Sequence, residues 1–314
     1  MQHKVPLGSL LVLGLLAASS LASCSNTPVL RARHVSRLTD SSYAEIAWAP
    51  DGAMILAVGI PGAPSTQSNL FGIDIPSGEV HRLTPAPGQF SNASWSPNGS
   101  QAVLTVDLNT VSLMDVPGGT LSYLSTGEAS AWLPNGQEIL IYSGDLSLRG
   151  TDHRELRVVD LEGNVTRVLP IGDRSTETAD VEYVSALSLS QDATRLAFSI
   201  AVPQRGRNLR TSYIADLVSG SVVRFRPDER TGHLTWAPDR DVVAYIRYGV
   251  DDYVGRLVIA DADGTCILRP QLPDEISNIS WGPDGTKIAL IYYGAVYLLD
   301  LESAMLDSPP GGGC

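Results

Sequence analysis

The chain has 314 residues, 43% of them hydrophobic and 18% charged, with 29 Gly, 20 Pro, three Cys and a formal net charge of -12. That length supplies core enough for one large all-β domain or two average ones, and the acidic balance argues against nucleic acid, which needs a basic face. Three cysteines with no C-x-x-C pair exclude a disulfide-dense mini-protein and offer no zinc or thioredoxin-like centre.

Residues 1–23 read as an export signal: Lys4 supplies the positive n-region, and an apolar run from Leu7 to Leu21 follows. The run is too short for a comfortable membrane span. It ends in Leu21-Ala22-Ser23-Cys24, which resembles the bacterial lipobox and implies lipidation at Cys24 with cleavage before it. The alternative is ordinary signal cleavage near Ser23, with Cys24 an incidental thiol. Under the lipobox reading, lipid chains hold a soluble domain at a membrane surface. Ser25 in place of Asp would favour the outer membrane in an organism that has one. Residues 24–32 then form an anchor linker.

The next 271 residues or so, 33–303, are organised by a repeat. Trp48-Ala-Pro-Asp-Gly52 returns as Trp95-Ser-Pro-Asn-Gly99, Trp132-Leu-Pro-Asn-Gly136, Trp236-Ala-Pro-Asp-Arg240 and Trp281-Gly-Pro-Asp-Gly285. Between the third and fourth copies the interval roughly doubles, and a worn copy, Leu189-Ser-Gln-Asp-Ala193, fills the gap. Six repeats result. Pro-Asp-Gly and Pro-Asn-Gly are turn sequences, because Pro presets φ, Asp or Asn bonds back to the backbone, and Gly accepts positive φ. A short apolar strand follows each, such as Met54–Val58, and then a second turn, such as Asp74–Gly78. Four strands per repeat, a to d, is the unit of a β-propeller blade.

These motifs resemble the TolB-type, WD-repeat-like propeller family, in W-x-P-D-G, in the aspartate after the third strand and in a terminal Leu-Thr such as Leu83-Thr84. The resemblance implies an all-β six-bladed propeller with four-stranded antiparallel blades. The sixth repeat lacks its fourth strand, whereas Arg37-Leu38-Thr39 matches Arg82-Leu83-Thr84 but precedes the first Trp motif. An N-terminal strand closing the last blade is therefore expected, since closure removes exposed edges. Residues 304–314 remain as a flexible C-terminal tail.

Alternating strands sort the loops into two faces. The a–b and c–d turns are short and formulaic; the b–c and d–a loops are long and irregular, and recognition usually resides in such loops. The residues three before each Trp (or before Leu189) are Glu45, Asn92, Ala129, Ala186, His233 and Asn278, which places a mainly polar ring at a channel mouth on the b–c/d–a face. Tyr43 and Phe90, two positions further out, are expected as an apolar rim. Such a mouth suits a peptide or small ligand, and the alternative role of these polar groups is to bond neighbouring blades. The basic stretch Arg205-Gly-Arg207-Asn-Leu-Arg210 is placed in a b–c loop of the same face.

No G-x-S-x-G, H-E-x-x-H or glycine-rich phosphate loop is present. No catalytic residue, cofactor or metal site is assigned. The minority reading is a propeller enzyme of lyase or lactonase type, with a metal at Glu45 and His233. Asp261-Ala-Asp-Gly264 looks like the start of a calcium loop but occupies the c–d turn slot, so a hairpin is expected. Cys266 and Cys314 fall on one face of adjacent blades and are candidates for a disulfide in an oxidising compartment; a buried Cys266 with a free terminal thiol is the alternative. The whole reads as a membrane-anchored extracytoplasmic lipoprotein that binds or scaffolds an envelope protein or peptide through the b–c/d–a face.

Overall fold

The computed structural model describes residues 35–39, 42–59, 67–116, 118–143, 155–169, 183–204, 207–249 and 254–302. Cys24, Cys314, the expected signal and linker, and most of the long loops assigned to the b–c/d–a face lie outside the described residues.

Blade 1 comprises β2 (Tyr43–Trp48), β3 (Met54–Gly59), β4 (Asn69–Asp74) and β5 (Val80–Arg82). Blade 2 follows with β6 (Phe90–Trp95), β7 (Gln101–Val106), β8 (Thr110–Asp115) and β9 (Leu121–Thr126). Blade 3 has β10 (Ala129–Trp132), β11 (Glu138–Ser143), β12 (Glu155–Asp160) and β13 (Val165–Leu169). The worn repeat builds blade 4 from β14 (Tyr183–Leu189), β15 (Arg195–Gln204), β16 (Arg207–Asp216) and β17 (Val222–Arg224). Blade 5 is β18 (Arg230–Trp236), β19 (Val242–Tyr248), β20 (Gly255–Asp261) and β21 (Cys266–Leu268). Blade 6 takes β22 (Ile276–Trp281), β23 (Lys287–Tyr292) and β24 (Ala295–Asp300) from the end of the chain and β1 (Val35–Arg37) from its start.

Closure is direct: β1 pairs antiparallel with β24, placing Val35 opposite Leu299 and Arg37 opposite Tyr297. The innermost strands pack in a ring, β2 on β6, β6 on β10, β10 on β14, β14 on β18, β18 on β22, and β22 back on β2. A separate apolar cluster fills each junction between blades. Leu56, Val58, Leu70 and Phe90 lie between blades 1 and 2, for example, and Tyr43, Ile73, Ile291 and Val296 between blades 6 and 1. The sheets therefore face one another, and burial of both faces explains the apolar runs in the middle strands.

The repeated turn works as its composition predicts. Asp51, Asn98, Asn135, Asp192 and Asp284 each accept, through Oδ1, the backbone N–H two residues on. Gly99 follows at φ 72°, a left-handed conformation that a Cβ would strain. The indole N–H of Trp95 donates to the Ala47 carbonyl of the preceding blade at 2.9 Å, and that of Trp281 to the Thr235 carbonyl at 3.3 Å. Just before the Trp slot, Ser188 accepts the Trp236 N–H and Ser280 the Trp48 N–H, both at 2.9 Å. Two of the five indoles thus fasten neighbouring blades, whereas the Trp48 indole N–H turns back to the Gly52 carbonyl of its own turn. Asp261–Gly264 is the hairpin expected: the Gly264 N–H donates to the Asp261 carbonyl at 3.0 Å.

Candidate functional site

A central channel of about 610 Å³ runs between the innermost strands. At the a–b end Pro50, Pro97, Pro134, Pro238 and Pro283 line it beside the five tryptophans; at the other end stand Glu45, Asn92, Ala186, His233 and Asn278. That volume lies within the range of small-ligand pockets.

The mouth residues reach the channel through a shared irregularity. The pairing of the two inner strands slips next to each of them, between Tyr43 and Glu45, Ser91 and Ser94, Ser185 and Ser188, Gly232 and Thr235, and Ile276 and Asn278. Such bulges re-aim a side chain. Asn92, Ala186 and His233 adopt φ 51°, 56° and 50° there, values uncommon for residues other than glycine. Blade 3 has no such slip. Its Ala129 is fully buried and absent from the channel wall.

Much of the ring's hydrogen bonding is spent between blades. Glu45 Oε2 accepts the Asn92 backbone N–H at 2.6 Å, Asn92 Nδ2 donates to the Glu128 carbonyl at 3.0 Å, and Asn278 Oδ1 accepts the Ile46 N–H at 3.4 Å. Glu45 keeps partial contact with channel solvent but is packed on all sides. Burial pushes its carboxyl up to about 7, against the opposing pull of the Asn92 N–H and the Arg210 guanidinium. His233 is 8% exposed, and burial, with the Arg210 charge adding to it, brings its imidazole down to about 3. At physiological pH the imidazole is therefore neutral, while Glu45 divides between its protonated and ionised forms.

Arg210 is the residue whose role the sequence concealed. The loop expected around it is a long hairpin: β15 and β16 remain paired out to Gln204 and Arg207. From β16, Arg210 Nη1 approaches His233 Nε2 to 2.7 Å, and its guanidinium lies over the Tyr248 ring at 5.9 Å from the centroid. A guanidinium only donates, so Nε2 accepts and the neutral imidazole carries its proton on Nδ1. The basic stretch was visible in sequence, but only the hairpin's length tells which arginine reaches the mouth.

One expectation is corrected, and one minority reading meets an obstacle. Tyr43 and Phe90 do not form a channel rim. The Tyr43 ring packs edge-on against Phe71 at 5.9 Å in the core between blades 6 and 1, and Phe90 lies against Gly88 in the core between blades 1 and 2. Both precede the register slip, so their side chains point into the sheet interface and not the bore. The donor set also does not fit a metal at Glu45 and His233: the imidazole lone pair on Nε2 is taken by a guanidinium, which would repel a cation. Among the described residues no three His, Cys, Asp or Glu groups gather as metal ligands.

Cys266 is disulfide-bonded, and both other cysteines, Cys24 and Cys314, lie outside the described residues. Among the described residues no helix is long and apolar enough to cross a membrane.

The sequence matches no protein-family model and no curated protein. In structure the chain is similar to a putative TolB from Agrobacterium tumefaciens, at 14% identity over 85% of this chain and 96% of that one, with a TM-score of 0.57. It is a six-bladed propeller. A gluconolactonase from Xanthomonas campestris shares the fold at 13% identity over 85% of this propeller chain and 89% of its own, TM-score 0.57. So does an oligogalacturonate lyase solved in complex with manganese, at 16% identity over 85% and 93%, TM-score 0.53. At these identities the likeness extends to the fold, which hosts both non-catalytic and catalytic proteins.

Proposed function

We propose that this protein is a membrane-anchored extracytoplasmic lipoprotein whose propeller serves as a binding or scaffolding module for a protein or peptide of the cell envelope, without catalysis. The observation that carries the binding role is the b–c/d–a mouth, where a neutral imidazole backed by an arginine, two side-chain amides and a carboxyl converge on a channel of ligand size. The anchoring rests on the lipobox at Cys24. Orientation supports the pairing of the two: β1 enters at Val35, opposite Leu299 at the a–b/c–d end of blade 6, so the candidate binding mouth faces away from the side on which the described chain begins.

Crosslinking in intact envelopes tests this reading. Partners should be captured by the unaltered chain and lost when Arg210 and His233 are replaced, while Asp51→Ala on the opposite face leaves capture unchanged. Equal capture by all three would reject the mouth as the binding face. Cys24→Ser should move the protein from the membrane to the soluble fraction; retention in the membrane would remove the lipid anchor from the account. The rival lyase or lactonase reading requires stoichiometric bound metal, lost on His233→Ala, in the purified protein.

A further inference from the structure

The Arg210 guanidinium has an unusual position for a cation. It is partly buried, and among the described residues no carboxylate lies within ion-pairing distance of it. The other described arginines with ion pairs show the contrast: Arg226 binds Glu229 at 2.9 Å, Arg195 pairs with Asp241, and Arg256 grips Asp274 through two nitrogens at 2.7 and 2.8 Å. Arg210 instead makes one hydrogen bond, to a neutral imidazole, and rests on an aromatic ring. Its remaining donors are not among the buried unpartnered atoms, and the guanidinium adjoins His233, which lines the channel mouth.

A guanidinium presents five donors in a planar fork that matches the two oxygens of a carboxylate. Here His233 and Tyr248 hold the fork from two sides, which lowers the entropy lost when a ligand docks. Among the described residues the Arg210 charge acts on Glu45 in the ring, and that carboxyl already accepts the Asn92 N–H. Among the described residues Arg210 therefore offers an incoming anion a cation that no carboxylate has claimed.

We infer that the channel mouth takes a carboxylate, held by the Arg210 fork inside the ring of Glu45, His233 and Asn278. The inference rests on the mouth being the binding face and adds the chemistry of what enters it. A carboxylate reaches such a site either as a peptide C-terminus or as a small organic acid.

Calorimetric titration of the purified full chain in detergent separates these sources, with acetyl-trialanine, its C-terminal carboxamide and succinate as probes. The peptide acid should bind about tenfold tighter than the carboxamide, as loss of a charge-assisted bidentate contact implies. Arg210→Gln should abolish that preference, whereas Arg210→Lys, which keeps the charge, should retain part of it. Glu45→Gln should preserve the preference or increase it. Succinate binding that depends on Arg210, with neither peptide bound, supports the carboxylate site and assigns it to small acids, while rejecting a peptide ligand. Equal binding of acid and carboxamide overturns the carboxylate site but leaves a peptide-binding mouth standing. No binding of either acid at about 10 mM, a concentration that detects even very weak complexes, also overturns it. Melting curves of the two Arg210 variants distinguish a lost contact from a lost fold.

Discussion

The two ends of the channel are built on the same six inner strands and solve opposite problems. At the a–b end the chain turns with Asp or Asn bonding back to the backbone, and glycine occupies the left-handed positions at Gly52, Gly99, Gly136 and Gly285. At the b–c/d–a end left-handed backbone falls on Asn92, Ala186 and His233 instead, each beside a slip in strand pairing. The first end repeats one solution; the second carries local strain and four kinds of side chain over the six blades. Left-handed non-glycine backbone at three mouth positions, against Ala193 alone among the described turns of the far end, is the pattern of a site whose side chains matter individually.

That contrast can be broken, and the largest expected effect comes from the ring itself. Deleting residues 33–39 removes β1 and uncovers Tyr297 and Leu299, which are 0% and 1% exposed. The loss of buried apolar surface is several kcal/mol, so the melting midpoint should fall by about 10 °C or more and the transition should broaden. An unchanged melt would show that blade 6 stands without its closing strand.

A second effect belongs to the mouth alone. Glu45 has its carboxyl raised from 4.5 to about 7, so the folded chain prefers it protonated; its contribution is complete below pH 4.5 and falls away as pH rises through 7. His233 works in reverse. Lowered from 6.5 to about 3, it contributes fully above pH 6.5 and loses that contribution as pH drops toward 3. Glu45→Gln should therefore flatten the alkaline limb of the stability profile between pH 4.5 and 7, and His233→Gln the acid limb between pH 6.5 and 3. Denaturant midpoints measured across pH 3–8 check both limbs, and a variant with the parent's profile would remove that group from the account.

The smallest effects sharpen the comparison most. Gly99→Ala at the turn end should cost about 1 kcal/mol, because alanine resists φ 72°. Ala186→Gly at the mouth, at φ 56°, should gain about 0.5 kcal/mol by relieving the same strain. Opposite signs in chemical denaturation would establish that the two ends differ in stored strain; equal signs would not.

Much of this architecture was legible before any coordinates. Trp, Pro, Asp or Asn, and Gly recur because one turn at the inner edge of each blade is used again and again, and repetition is what a sequence displays best. The closing strand could be recognised because Arg37-Leu38-Thr39 repeats a pattern whose proper place is at a blade's outer edge. The mouth resisted. Counting three residues back from each Trp located Glu45, Asn92, His233 and Asn278, but that count assumes a regular strand, and the slips reverse the expected direction of Tyr43 and Phe90. Arg210 escaped because it belongs to a different strand and blade from the imidazole it touches, and its reach depends on how far β15 and β16 stay paired. The serines before the Trp slot carry no pattern of their own in the sequence, although Ser188 and Ser280 bond neighbouring blades.

The pairing of β1 with β24 also sets a schedule. The first strand of the propeller to leave the ribosome must wait for the last, with the whole of the intervening chain between Arg37 and its partner Tyr297. Contacts so distant in sequence are slow to form, and five blades can be complete while the ring is still open. A chain interrupted anywhere before β24 therefore keeps an unsatisfied seam, and the closed ring exists only in a molecule that has been delivered whole.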